Sequence, residues 1–276
     1  MLLELVRRPP ESPAVLRARG GSNAAEPVAS LIADLHPDGT WATGQPMWRP
    51  YSGPGWRFLA AVQWGADPAD PRLQAAAQVL LETAPGEGGF SRRPGSPAVP
   101  WVTARVLQAL AELGWCHHQR FQEGLAWLEE GDIGHRDGGW RCWRRRTSPS
   151  ECDVTPVALL AALAACGDRK RTRLRNRATA SIVRIMSSTD SVVGDYGHPC
   201  LGRTDEAEVL WSLAKAETSF QPTMVRALRR LQSPEVDGGR WRRTATFPRS
   251  LGVVGQVAVG EQSRWVSLKC VVAVMA

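Results

Sequence analysis

Two kinds of hydrophobic pattern alternate along this chain. In EPVASLIADLH (26–36), PRLQAAAQVLLETA (71–84), HQRFQEGLAWLEEG (118–131), TRLRNRATASIVRIM (172–186) and PTMVRALRRLQS (222–233), apolar residues return every three or four positions. That spacing puts them on one face of a helix and leaves the other face wet. Between these lie PGWRFLAAVQWG (54–65), VPWVTARVLQALAELG (99–114), VTPVALLAALAACG (154–167), TDEAEVLWSLAKAE (204–217) and, less clearly, LGVVGQVAVGEQ (251–262), which are apolar almost all round. Alanine is plentiful in this second set and β-branched residues do not dominate, so helix is favoured over strand there as well. The pattern predicts an all-α fold with the uniformly apolar helices inside and the amphipathic ones around them.

A glycine-centred turn ending in an aromatic precedes each apolar segment: DGTW ending at Trp41, GEGGF at Phe90, DGGW at Trp140, VGDY at Tyr196 and DGGRW at Trp241. The turns recur about every fifty residues, the mark of one supersecondary unit stacked on copies of itself. About five helical hairpins with Gly-rich turns result. If the array curls until it closes, the product is an α/α toroid; an open solenoid of hairpins is the competing shape. No linker interrupts the period, so residues 25–276 read as one domain. Residues 1–24 read as a loose arm, too short in its apolar part to be an export signal or a membrane span. The tail VSLKCVVAVMA reads as a buried terminal helix or strand.

The 276 residues are enough to bury a substantial core. Aromatic usage is skewed to Trp 12 against Phe 5 and Tyr 2, which suits close packing, ring stacking or cation stabilisation. The formal net charge is +7 and its basic side chains are almost all arginine, a general pull towards anions. No nucleic-acid-binding module accompanies that charge, so a nucleic-acid partner is not expected. A diphosphate, or peripheral contact with a phospholipid surface, fits the arginines better. The six cysteines lie far apart with no CxxC pair, and Cys166 and Cys270 sit in apolar runs. They read as buried thiols of a cytoplasmic protein rather than a disulfide framework.

The stretch TSPSECDVTP (147–156) carries the candidate chemistry. Ser150 and Asp153 stand three apart, the spacing of a capping box. Thr155 followed by Pro156 offers a second helix start, with Thr as cap and Pro in the first turn. A helix from Ser150 would carry Pro156 in its interior at a cost of up to about 3 kcal/mol, so the Thr155 start is preferred. Glu151 and Asp153 are then left in the approach loop, as capping or solvated groups or as a reactive pair. Two carboxylates at the rim of an apolar cavity cannot both ionise cheaply, and the one left protonated can deliver H⁺ to an alkene or epoxide. Trp48, Trp56, Trp101, Trp143 and Trp211, in or beside the apolar segments, offer ring faces to the resulting cation.

Leu228, Gln232, Asp237, Gly238, Gly239 and Trp241 form LxxxQ…DGGxW, which resembles the glutamine–tryptophan repeat of squalene–hopene cyclases, class II terpene cyclases and related prenyltransferase β-subunits. Weaker copies end at Trp41, Phe90 and Trp140, and the likeness spans nearly all of the chain after residue 24. It implies an α/α toroid whose inner helices present their N-terminal ends to a hydrophobic cavity that handles isoprenoid chains. Class II cyclases carry Asp-x-Asp-Asp-Thr at the start of an inner helix, the central Asp donating the proton. Glu151, Asp153 and Thr155 match its first, central and last places, while Val154 replaces the remaining Asp. The resemblance thus implies an isomerase-type, protonation-initiated cyclisation of an isoprenoid such as a polyprenyl diphosphate, with Asp153 as acid and Glu151 tuning it. Trp56, Trp101, Trp143 and Trp211 would line the cavity.

Arginines follow the turns: Arg92 and Arg93, Arg141 with Arg144, Arg145 and Arg146, and Arg242 and Arg243. They form either a solvated face or a collar that grips diphosphate in bidentate fashion, with Mg²⁺ as its companion. Asp205 and Glu206, opening the fourth apolar segment, either favour their helix N-terminus or reach the cavity. Two alternatives from other classes stand beside the cyclase. One is a non-catalytic lipid-binding or scaffolding toroid. The other is a zinc-dependent prenyltransferase-like protein, for which Asp153 stands in place of the family's Cys and Arg203 in place of its His, with His198, Cys200, Cys142 and Cys152 as substitute ligands. Zinc is the less favoured expectation. Paired carboxylates with tryptophans also suit sugars, but the DGGW turns fit the isoprenoid group better.

Overall fold

The computed structural model describes residues 9, 11–49, 52–83, 87–93, 95–130, 138–141, 151–187, 200–217, 222–231, 240–242, 261–263, 266–267 and 270–271. They form an all-α protein with ten helices in order: α1 (Pro13–Ser22), α2 (Val28–Ile32), α3 (Pro54–Gln63), α4 (Pro71–Thr83), α5 (Pro100–Glu112), α6 (Gln119–Glu130), α7 (Val154–Ala165), α8 (Thr172–Ser187), α9 (Glu206–Lys215) and α10 (Pro222–Leu231). Among the described residues, β-structure is confined to isolated bridges.

The two hydrophobic patterns become two layers. The uniformly apolar α3, α5, α7 and α9 pack in sequence, α3 on α5, α5 on α7 and α7 on α9. The amphipathic α4, α6, α8 and α10 each pack on the apolar helix before them, and α8 touches both α6 and α10. In α5 every residue from Pro100 to Ala111 is buried, and in α7 every residue from Val154 to Leu163. The outer α8 buries only Leu174, Ala178, Ser181, Ile182 and Met186, a single stripe.

A recurring lock joins the layers. The ring N–H of Trp41 donates to the Leu31 carbonyl (2.9 Å), that of Trp140 to Leu128 (3.1 Å) and that of Trp241 to Leu231 (3.0 Å). Each accepts with a carbonyl from the last turn of an outer helix, one of the groups that a helix cannot satisfy internally. Each turn aromatic is then paired with the residue that returns towards the next helix: Val99 N–H donates to the Phe90 carbonyl (2.9 Å), Cys152 to that of Trp140 (2.7 Å) and Ser263 to that of Trp241 (3.0 Å). Inner helix α5 starts directly after Val99 and α7 two residues after Cys152. Gly88 (φ +96°) and Gly138 (φ +89°) make the reversal in a backbone region that L side chains rarely adopt.

Several expectations move. Residues 13–22, inside the stretch read as a loose arm, form α1 with Val15 buried; the next residue, Asn23, bonds Asp70 and the Asp67 N–H. The fifth apolar helix is not at 261–262, because Gln262 pairs as an extended bridge with Arg242; residues 251–260 lie outside the described set. Helical residues follow at 266–267 and 270–271, where the Ser263 hydroxyl accepts from the Val266 N–H. The cysteine expectation is overturned: Cys116 and Cys166 form a disulfide with a sequence separation of 50, about one repeat. Stacked repeats bring equivalent positions together, here just past the C-terminal ends of α5 and α7. Disulfides persist in oxidising compartments, which removes the argument from cysteine spacing for a reducing one. Cys152, Cys200 and Cys270 are buried. No helix among the described residues is long and apolar enough to cross a membrane.

Closing a loop of that length restricts the unfolded chain by about 4 kcal/mol in the loop-entropy model. Replacing both Cys116 and Cys166 with Ser lowers the unfolding free energy measured in urea by several kcal/mol, and a thiol reductant lowers it for the unsubstituted chain alone. Equal stability of the two chains contradicts a stabilising bond.

Candidate active site at the entries of the inner helices

The turns deliver the N-terminal ends of the inner helices, and each end carries one of the residues singled out in the sequence. Trp56 is the third residue of α3, Trp101 the second of α5, Asp153 occupies the position before α7 and Asp205 the position before α9.

Trp56 and Trp101 come together. Their rings lie 5.7 Å apart, Trp48 packs edge-on against Trp56 at 6.3 Å, and all three are buried. The exposed Arg92 places its guanidinium 6.0 Å from the Trp101 ring centre. The loop before α9 passes close by, since a Cβ on Gly202 would meet the Trp56 ring at 3.3 Å. Trp211 sits farther down α9, half-buried, with the Lys215 ammonium 4.3 Å above its ring. It is therefore a helix-flank residue rather than a member of this cluster. Trp143, Arg144, Arg145 and Arg146 lie outside the described residues, as do Cys142, His198 and Arg243. Arg93, Arg141 and Arg242 are exposed.

Glu151 and Asp153 part company. Glu151 pairs with Arg141 in an extended bridge, and its carboxylate accepts from the Ser181 hydroxyl (2.5 Å) and from Arg184 (2.6 Å), both on the outer helix α8. It also packs directly on Gly139, where a Cβ would collide with it. Asp153 has helical backbone angles already (φ −76°, ψ −33°), which breaks the extended alternation that would put residues 151 and 153 on one side. Its carboxylate does not cap α7, and it lies within electrostatic reach of Arg105 on α5. The helix starts at Val154 rather than after Thr155, with Pro156 still in the first turn, where its missing N–H costs nothing. The Thr155 hydroxyl is fully buried with no hydrogen-bond partner.

The strongest polar cluster went unread in the sequence. Arg105 is 1% exposed. Its guanidinium grips Glu208 of α9 through both oxygens (2.5 and 2.9 Å) and donates to Gln108 (2.8 Å) and to the carbonyls of Leu201 (3.0 Å) and Arg203 (2.9 Å). Thr204 donates to the same carboxylate at 2.6 Å. Burial pulls the Arg105 pKa down, but the charge and hydrogen bonds of Glu208, with Cys200 and Asp153 behind them, raise it overall, so the guanidinium stays charged. One signal was available: Arg105 and Gln108 interrupt a helix otherwise apolar all round, and a buried charge demands a partner. The carboxylate of Asp205 accepts from the Glu208 N–H (2.9 Å), the N-cap role, and from the Cys200 thiol at 3.9 Å. Gln63, ending α3, holds the backbone of Cys200 through two bonds, 2.6 and 3.0 Å. Among the described residues, no three His, Cys, Asp or Glu side chains group as metal ligands.

The chain matches no protein-family model, no curated protein and no solved structure. The cyclase-like reading therefore rests on the motif residues and on this geometry.

Removing one partner of a buried ion pair strands the other. Glu208→Gln is expected to cost about 3–5 kcal/mol, whereas Arg105→Met with Glu208→Leu recovers most of that loss. Urea denaturation of the three chains checks this. A double variant as unstable as the single one contradicts the assignment.

Proposed function

We propose that this protein is an α/α toroid of the class II terpene-cyclase type, which protonates an isoprenoid chain, such as a polyprenyl diphosphate, and so starts its cyclisation. The observation that carries the proposal is the placement of Asp153 at the start of α7. That start is next in line after the entries of α3 and α5, which bear the adjoining Trp56 and Trp101, their rings tilted at 37°. Closure of the ring is part of the proposal. It is supported by the bonds from Gln63 on α3 and Arg105 on α5 to the segment that leads into α9.

In this reading Asp153 is the general acid, working at the boundary between a charged network and an aromatic wall. Trp56 and Trp101 present ring faces to positive charge developing on the substrate. Glu151 holds the helix entry in register through Ser181 and Arg184, and Asp205 caps α9, so both act on position. Arg92, exposed beside Trp101, is the described arginine best placed to receive a diphosphate. The arginine-rich surface suits transient contact with the anionic membranes in which isoprenoids dissolve.

A second reading is a lipid-binding toroid without chemistry. It is favoured by the commitment of Glu151 to Ser181 and Arg184 of α8, away from the tuning role beside Asp153.

The test is a panel of polyprenyl diphosphates of increasing length, assayed for cyclic product with the wild-type chain and with Asp153→Asn. The proposal predicts product from the wild type and a loss of at least a hundredfold in the variant, the low end of what general acid catalysis contributes, roughly 10²–10⁴. Binding by both chains with product from neither supports the second reading instead.

A further inference from the structure

The glycine turns pack against the next outer helix, and three of them do so differently. The fully buried Leu73, Phe121 and Leu174 are each the third residue of α4, α6 and α8, which sets these helices in a common register. Position nine of each is then Val79, Trp127 and Ala180, and position six is Ala76, Gly124 and Arg177. At the second turn the space is filled by an indole: a Cβ on Gly88 would lie 3.2 Å from Trp127 Cβ, and one on Gly89 2.7 Å from the Trp127 ring. At the third it is filled by a guanidinium. Arg177 lies 4.3 Å over the Trp140 ring and donates to the carbonyls of Gly138 (2.8 Å) and Gly139 (2.9 Å).

The first turn has neither filler. Gly39 seats against the backbone of Ala75 and Ala76, and Val79 stands where Trp127 would be. A pocket of about 110 Å³ remains between the turn, α3 and α4, lined by Trp41, Met47, Gly55, Phe58, Val79 and Leu80 among others. We propose that this pocket is a binding site for a small planar apolar group, one aromatic or similarly unsaturated ring system, lying where the second repeat lodges its own indole. Its walls are two aromatic rings and three branched or thioether side chains, which suit such a ring by area and by edge-to-face contact. A dry apolar cavity of comparable size is known to take benzene. A cation of the Arg177 kind fits less well, because the Thr40 carbonyl already accepts from the His36 N–H at 2.8 Å and the lining is apolar.

The site stands apart from the proposed chemistry at Asp153, yet it touches the back of the tryptophan cluster. Met47 and Gly55 in its lining are the chain neighbours of Trp48 and Trp56, and the Trp48 ring packs on Gly55, where a Cβ would come within 2.7 Å.

The probes are indole, benzene and methylguanidinium, titrated into the whole chain and followed by saturation-transfer NMR and by Tm. Indole and benzene are expected to bind saturably and raise Tm, with methylguanidinium inert. Val79→Trp, which supplies the missing indole covalently, should raise Tm unaided and abolish the response to free indole. Val79→Met, a more adaptable filler, should weaken that response if the Trp variant fails to fold. Asp153→Asn should respond as the wild type does. The proposal is overturned by a folded wild type indifferent to both rings, by an undiminished response in the folded Val79 variants, by binding of methylguanidinium in their place, or by loss of ring binding in Asp153→Asn.

Discussion

A single buried guanidinium holds the inner helices in relation to one another. Arg105 and Glu208 are 103 residues apart in sequence, and their two-pronged bond crosses from α5 to α9. Taking both charges out of water is tolerable only because Gln108, Thr204 and two backbone carbonyls complete their hydrogen bonding. Apolar packing between alanine-rich helices is permissive about rotation and sliding, whereas a bidentate pair accepts one geometry. The segment from Cys200 to Asp205 is consequently fixed from two sides, by Arg105 in the middle of α5 and by Gln63 at the end of α3, and the entry of α9 is set against those two helices.

The glycine turns do the complementary job at the rim. A tryptophan ring N–H caps a carbonyl at the end of an outer helix, and at the second and third turns the turn aromatic's carbonyl accepts from a residue just before the next inner helix. The same lock is repeated, and the inner helices α3, α5 and α7 each follow one of these turns in sequence. The residues in or just before their first turns, Trp56, Trp101, Asp153 and Asp205, differ in chemistry. Variation at a repeated position is how a repetitive scaffold acquires a site. The empty place beside the first turn has the same origin, since Val79 and Ala76 stand where later repeats have Trp127 and a bulky Arg177.

Much of this was legible in the sequence. Periodicity located the helices from α3 to α10, because each has either a clear apolar stripe or an uninterrupted apolar surface. It failed at Gln262, which pairs as an extended bridge with Arg242, and the helical residues come later. The Cys116–Cys166 bond was missed because the cysteines were compared with one another as neighbours in sequence, when the relevant distance was the repeat itself. Glu151 was paired with Asp153 by proximity, and nothing in the sequence shows that a bridge to Arg141 turns it towards Arg184. Arg105 was the reverse case: its conflict with a wholly apolar helix was visible, and the partner 103 residues away was not.

The central claim is that a proton passes from Asp153 to an isoprenoid carbon inside the proposed ring of helices. Running the conversion of a polyprenyl diphosphate in D₂O and weighing the cyclic product tests that transfer at the atom concerned. The account predicts one solvent-derived deuterium on carbon in the product formed by the wild-type chain, and none formed by Asp153→Asn because no product accumulates. Cyclic product without carbon-bound deuterium, or labelled product formed equally well by Asp153→Asn, contradicts it.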